Sequence, residues 1–284
     1  MSVIEKAVAI LRKDVSTSAS QNMNQSSVGG SDSQRSRVNS NNLVCQLDFD
    51  ALRESGYLTN DNTDTKLAEE FRLIKRPLLS NAFGKGVTPI DSGNLIMITS
   101  SLPGEGKTFT SINMALSIAL ERDTTVLLVD ADVVKPKLSA LFGLGKQPGL
   151  IDVLDDSKMS LADVIINTDN PKLRIIPAGQ IHDHSTEILA SERMQLIAEE
   201  LSVRYRDRVI IFDAPPFLIS SQAKVLAGLV GQIMVVVEAG VTNTNAIQET
   251  TAQLGKDKVI GMILNKCKIN KRSQYGGYYG IYGE

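Results

Sequence analysis

The residues with the most chemistry in their spacing are Lys107 and Thr108, which follow the turn Ser100-Ser101-Leu102-Pro103-Gly104-Glu105-Gly106. The apolar run Leu95–Ile98 precedes the turn and reads as a short buried strand. After Thr108, apolar residues recur at Ile112, Ala115, Leu116 and Ala119, the spacing of a helix. Strand, glycine-bearing loop, Lys-Thr and helix are the context of a phosphate-binding loop. The segment Pro103, Gly104, Glu105, Gly106, Lys107, Thr108 and Phe109 then aims unpaired backbone N–H groups at one small volume, which suits a polyphosphate. Lys107 would reach the β- and γ-phosphates, and the Thr108 hydroxyl would ligate Mg²⁺. The full pattern has Gly six positions before the lysine, where this chain has Ser101. A plain strand–turn–helix unit is the alternative.

Two acidic motifs follow. Thr125–Val129 is a buried strand that runs into Asp130-Ala131-Asp132. If the strand persists, Asp130 and Asp132 point the same way. Like charges raise each other's pKa, so a cation or a proton-transfer task would explain the pair. An exposed loop is the other reading. Val209–Phe212 repeats the design, ending in Asp213, and Pro215 and Pro216 stop the strand. An Asp at such a strand end holds Mg²⁺ directly or through water. The last strand ends in Asn265, which is either an adenine contact or a turn residue.

The elements that position these groups alternate along the chain. Strand-like runs lie at Leu95–Ile98, Val126–Val129, Leu173–Ile176, Val209–Phe212, Ile233–Val237 and Val259–Leu264. Helical patterns lie at Lys107–Arg122, Thr186–Arg204, Gln222–Leu229 and Asn245–Leu254. This predicts an α/β fold, a parallel sheet with helices on both faces in three layers, with ligands at the C-terminal strand ends. Upstream, Thr65–Leu79 reads as a helix that ends at Pro77. Its stripe is Leu67, Phe71 and Ile74, and Glu69, Glu70, Arg72, Lys75 and Arg76 cover the other face. The expected organisation is an amphipathic helix over 1–15, a Ser/Asn/Gln-rich linker over 16–42, a nucleotide domain over 43–268 with a helical lead-in over 43–92, and a tail over 269–284.

In the tail, four of the six tyrosines fall in the last ten residues: Tyr275, Tyr278, Tyr279 and Tyr282, interleaved with glycine. A core does not need this pattern. Either the end packs in a groove, or the phenol hydroxyls are a substrate. The only histidines, His182 and His184, suit a surface loop better than a zinc site. The net charge of −2 gives no basic field, so nucleic acid is not an expected partner. Cys45 and Cys267 show no metal or disulfide spacing and fit free thiols in a reducing compartment. No stretch reads as a transmembrane helix or a signal peptide. The chain is therefore expected in the cytoplasm, meeting the membrane's inner face through a partner.

With these residues in hand, the chain resembles the bacterial tyrosine kinases of capsule and exopolysaccharide assembly, within the wider P-loop group of MinD- and ParA-like ATPases. The likeness covers roughly Ala68 to Glu284. Ser100–Thr108 is similar to the family's Walker A, Val129–Pro136 to its Walker A′, Ile211–Pro216 to its Walker B, and the tyrosine tail to its autophosphorylation cluster. Glu69, Arg72 and Lys75 fall on its E-x-x-R-x-x-R oligomerisation motif, with Lys in place of the last Arg. The resemblance implies MgATP as cofactor, Asp130 as the base that takes the tyrosine proton, and Lys107 neutralising the γ-phosphoryl. Asp132 and Asp213 would order Mg²⁺ with Thr108. It implies phosphorylation in trans within a ring-like homo-oligomer, a separate membrane-embedded polysaccharide co-polymerase as activator, and an opposing phosphatase. A rival is a MinD/ParA-like switch ATPase without a protein substrate. Its signature lysine would stand at Leu102. A non-catalytic nucleotide-binding scaffold is the other.

Overall fold

The computed structural model describes residues 44–59, 61–84, 90–180, 185–205, 207–255 and 258–267. The N-terminal helix and linker, His182 to His184 and the four tail tyrosines lie outside the described residues. Eight strands are β1 Val44–Cys45, β2 Leu95–Ser100, β3 Thr125–Asp130, β4 Ile166–Thr168, β5 Leu173–Ile176, β6 Arg208–Asp213, β7 Gln232–Glu238 and β8 Val259–Asn265. They form one sheet in the order β1-β4-β5-β3-β6-β2-β7-β8. Every pairing is parallel except β4 with β5. The three-residue β4 and the two-residue β1 escape a reading based on apolar runs, because neither presents a run long enough.

Alternate side chains of the central strands enter two separate cores. Leu95, Met97, Leu127, Val129, Ile210 and Phe212 fill one. Ile96, Ile98, Val126, Leu128, Val209 and Ile211 fill the other. Burial on both faces is why these strands are continuously apolar rather than alternating. Helix α1 spans Phe49–Glu54, α2 Lys66–Ala82, α3 Lys107–Ala119, α4 Lys137–Leu141, α5 Leu150–Asp155 and α6 Leu161–Val164. They are followed by α7 Ser185–Leu189, α8 Glu192–Arg204, α9 Ser221–Leu229 and α10 Thr244–Leu254. The expected Thr186–Arg204 helix is thus two, because the extended backbone of Ser191 starts a new one at a residue type favoured there.

Helix α2 departs from expectation twice. It runs through Pro77 to Ala82. The carbonyl that Pro77 leaves without a donor belongs to Leu73, which is 65% exposed, so water can serve it. Leu78 beyond the proline is buried and keeps the last turns docked. The second departure is Lys75. It faces inward, and its Nζ lies 2.6 Å from the Ser117 carbonyl and 2.6 Å from Glu121. A stem of four methylenes lets a lysine bury its length while its head reaches the C-terminal end of α3. Lys75→Ala is therefore expected to cost about 2 kcal/mol of stability, read by chemical denaturation, since it strips a charged donor from the buried Ser117 carbonyl. A change under about 0.5 kcal/mol would show that the contact contributes nothing.

Candidate nucleotide and phosphotransfer site

The site lies where β2, β3, β6 and β7, four neighbours in the sheet, end together. Parallel pairing puts all four C-terminal ends on one edge. After β2 the chain turns through Gly104 at φ 92° and Gly106 at φ 101°, left-handed values that favour glycine. A Cβ on Gly106 would stand 2.0 Å from Asn265 Nδ2, so that position has no room for a side chain. Ser101 needs no glycine. Its φ is not positive, and its buried hydroxyl accepts from Thr250 at 2.8 Å. Among the described residues, none accepts a hydrogen bond from the backbone N–H of Gly104, Glu105, Gly106, Lys107 or Thr108. A loop and helix start with free donors is an anion site in waiting.

Four charged side chains converge below this loop. Lys107 Nζ donates to Asp132 Oδ2 at 2.7 Å, with both side chains buried. Asp130 and Asp213 are register partners on adjacent strands, and both are fully buried. Asp130 Oδ2 accepts from the Ser139 N–H at 2.8 Å and from its hydroxyl at 2.6 Å. Asp213 Oδ1 accepts from the Ser111 hydroxyl at 3.0 Å, and Thr108 beside the carboxylate helps to favour its ionised form. One oxygen of each acid, Asp130 Oδ1 and Asp213 Oδ2, is buried without a partner. Such orphans are costly and mark a site built for something else.

The electrostatics follow from that burial. Burial, then the neighbouring Asp213, pushes Asp130 up to about 7, while the Ser139 bonds hold it back. Burial also raises Asp213, against the pull of Lys107. Burial alone would lower Lys107, but Asp213, Asp132 and Asp130 outweigh it and raise it above its ordinary value.

Asp130 and Asp132 do not point together as a persisting strand would require. The strand stops at Asp130. The chain then turns Asp132 toward Lys107, and its Oδ1 accepts from the Lys135 N–H at 3.2 Å. The free oxygens are therefore on Asp130 and Asp213. Among the described residues, no group of three His, Cys, Asp or Glu side chains is arranged to hold a metal ion. An all-oxygen set of one or two carboxylates and a hydroxyl, to be completed by phosphate oxygens, is nonetheless what Mg²⁺ takes. The unpartnered Asp213 Oδ2 and the Thr108 hydroxyl fit it.

The remaining expected residues lie at the rim or beyond. Phe109 packs on Tyr57 with ring centroids 5.1 Å apart. The Glu105 carboxylate turns back into its own loop and accepts from the Leu102 N–H at 2.7 Å. Asn265 donates to the Glu105 carbonyl at 2.9 Å, so its amide lies on the loop. Glu69 and Arg72 form an exposed ion pair on α2, away from the site. Arg72, Lys75 and Arg76 line a cavity of about 280 Å³ with Thr63, Leu120 and Glu121. Sequence reasoning missed Ser111, Ser139, Thr242 and Lys266. Ser111 was findable, four residues after Lys107 on one helical face. Nothing in the spacing pointed to Ser139.

The family model of the AAA domain matches residues 93–258. Tyrosine-protein kinase YwqD of Bacillus subtilis is 34% identical over 65% of this chain and 77% of its own length. The putative tyrosine-protein kinase CapB of Staphylococcus aureus is 30% identical over 78% of this chain and 93% of its own length. Among solved structures, the kinase domain of the Escherichia coli tyrosine kinase ETK superposes with a TM-score of 0.61 at 26% identity, covering 76% of this chain and 83% of that one. The VpsO kinase domain gives 0.57 at 31% identity, over 72% of this chain and 100% of that one. An ATP complex of Cyanothece McdA shares the fold, with a TM-score of 0.50 at 23% identity.

Proposed function

We propose that this chain, which belongs to the bacterial tyrosine-protein kinases and carries their AAA domain, moves the γ-phosphoryl of ATP to the tyrosines of its own C-terminal cluster, Tyr275, Tyr278, Tyr279 and Tyr282. The observation that carries the reading is the pair of orphaned carboxylate oxygens beside a loop of free amides, with the Lys107 ammonium in the field of both acids. Thr108 and Asp213 would hold Mg²⁺, which would supply charge neutralisation for the phosphates. The loop amides bind the polyphosphate and fix its orientation. Lys107, paired with Asp132 at 2.7 Å, would turn to the γ-phosphoryl, and Asp132 would then be available to order Mg²⁺. Asp130 takes the phenol proton on its unpartnered Oδ1 as the tyrosine oxygen attacks phosphorus. Asn265, at the rim, would meet the adenine once the nucleotide is in place.

Transfer runs in trans between copies of this chain, and its purpose is to regulate polymerisation and export of an exopolysaccharide. The exposed Glu69 and Arg72, beside the Arg76-lined cavity, supply the contact between copies, while Lys75 holds α2 to its own domain. A membrane-embedded co-polymerase activates the kinase and a phosphatase resets it. Among the described residues no helix is long and apolar enough to cross a membrane, which is consistent with an activator on a separate chain.

Intact-protein mass spectrometry after incubation with MgATP, with a candidate activator's cytoplasmic segment present in a parallel sample, tests this. One to four added phosphates mapping to Tyr275–Tyr282 are expected. ATP hydrolysis in both samples without any added phosphate would sink the reading in favour of a switch ATPase.

A further inference from the structure

Two consecutive carbonyls of the phosphate-binding loop are tied from behind by residues at the end of β8. Lys266 Nζ donates to the Gly104 carbonyl at 2.7 Å. Asn265 Nδ2 donates to the Glu105 carbonyl at 2.9 Å. The β7 end secures the same corner. Lys266 Nζ also meets Glu238 Oε2 at 2.8 Å, and the Thr242 hydroxyl donates to the Glu105 carboxylate. The Ala239 N–H donates to the Asn265 carbonyl at 2.9 Å, which pins β8 to β7 here. Lys266 is held in a left-handed conformation at φ 57°, which a residue with a side chain rarely adopts. Such a conformation persists where the surroundings over-determine it, and it points to a function.

The consequence is geometric. In a planar trans peptide, the carbonyl of one residue and the N–H of the next point in opposite directions. Pulling the Gly104 carbonyl toward Lys266 therefore turns the Glu105 N–H the other way. Pulling the Glu105 carbonyl toward Asn265 does the same for the Gly106 N–H. Neither N–H has an acceptor among the described residues. We propose that Lys266 is a positioning residue for nucleotide binding: its ammonium, braced by Glu238, sets the Gly104–Glu105 peptide so that the Glu105 N–H is presented to the polyphosphate. A loop with one of these planes free to flip would spend part of its time offering a carbonyl oxygen to an anion. This inference rests on the nucleotide reading of the loop and not on which group is phosphorylated.

The full chain is titrated with N-methylanthraniloyl-ATP and Mg²⁺, as wild type, Lys266→Met and Lys266→Arg. Loss of one charged donor predicts about tenfold weaker binding for Lys266→Met, and Lys266→Arg recovers to within about threefold because a guanidinium can still reach a carbonyl. Lys266→Met binding within twofold of wild type overturns the proposal, and so does an Arg variant as weak as the Met variant. Binding is read without phosphotransfer. A wild-type chain that binds the probe but transfers no phosphate from ATP even with the activator's cytoplasmic segment present would refute the kinase reading alone, while one that does not bind overturns both.

Discussion

Lys107→Met is expected to abolish phosphate addition to the chain, a fall of a hundredfold to about a thousandfold or more in initial rate by intact-mass time course. The methionine keeps most of the length and removes the charge. In the resting site the ammonium is clamped by Asp132 at 2.7 Å and sits in the field of Asp213 and Asp130 as well. Its charge stands against three buried carboxylates. Without it the basin under the loop carries only negative charge and repels the nucleotide's phosphates. Two effects thus add: weaker binding, and no donor to follow the γ-phosphoryl as its charge develops. Phosphate incorporation at more than about a tenth of the wild-type rate would mean that Lys107 is not on the reaction path.

Asp130→Asn is expected to separate binding from chemistry. Asparagine keeps the shape, but cannot take a proton. The rate of phosphotransfer should fall by about a hundredfold to ten-thousandfold while nucleotide affinity stays within a few-fold, because the lost function is proton transfer. The pH profile carries the sign. Asp130 acts as a base only when ionised, and burial has pushed it up to about 7. Its ionised fraction is small at pH 6 and dominant at pH 8. In the wild type, kcat/KM for ATP should therefore rise as pH climbs through about 7 and then level off. The Asn variant's residual activity should lack that rise. A wild-type profile flat from pH 6 to 8 would remove Asp130 from the role of base.

The chemistry of the groups and most of the strands that carry them are legible in the residues alone. The six strands found as apolar runs are all in the sheet, and the central four are nearly continuously apolar because they are buried on both faces. The two glycines, Lys107 and Thr108 announce the loop because left-handed turns and a helix start restrict residue choice sharply. Which of these groups meet is set by long-range packing. Asp130 and Asp213 lie 83 positions apart in the chain, and they become neighbours solely because β3 and β6 pair in that register. The same long-range packing turned Lys75 inward onto the end of α3, separated Asp132 from Asp130, and laid Asn265 and Lys266 on the back of the loop. Periodicity reports the side of a helix or strand on which a residue lies, but a long polar side chain is placed by the acceptor it finds. That acceptor comes from a distant part of the chain.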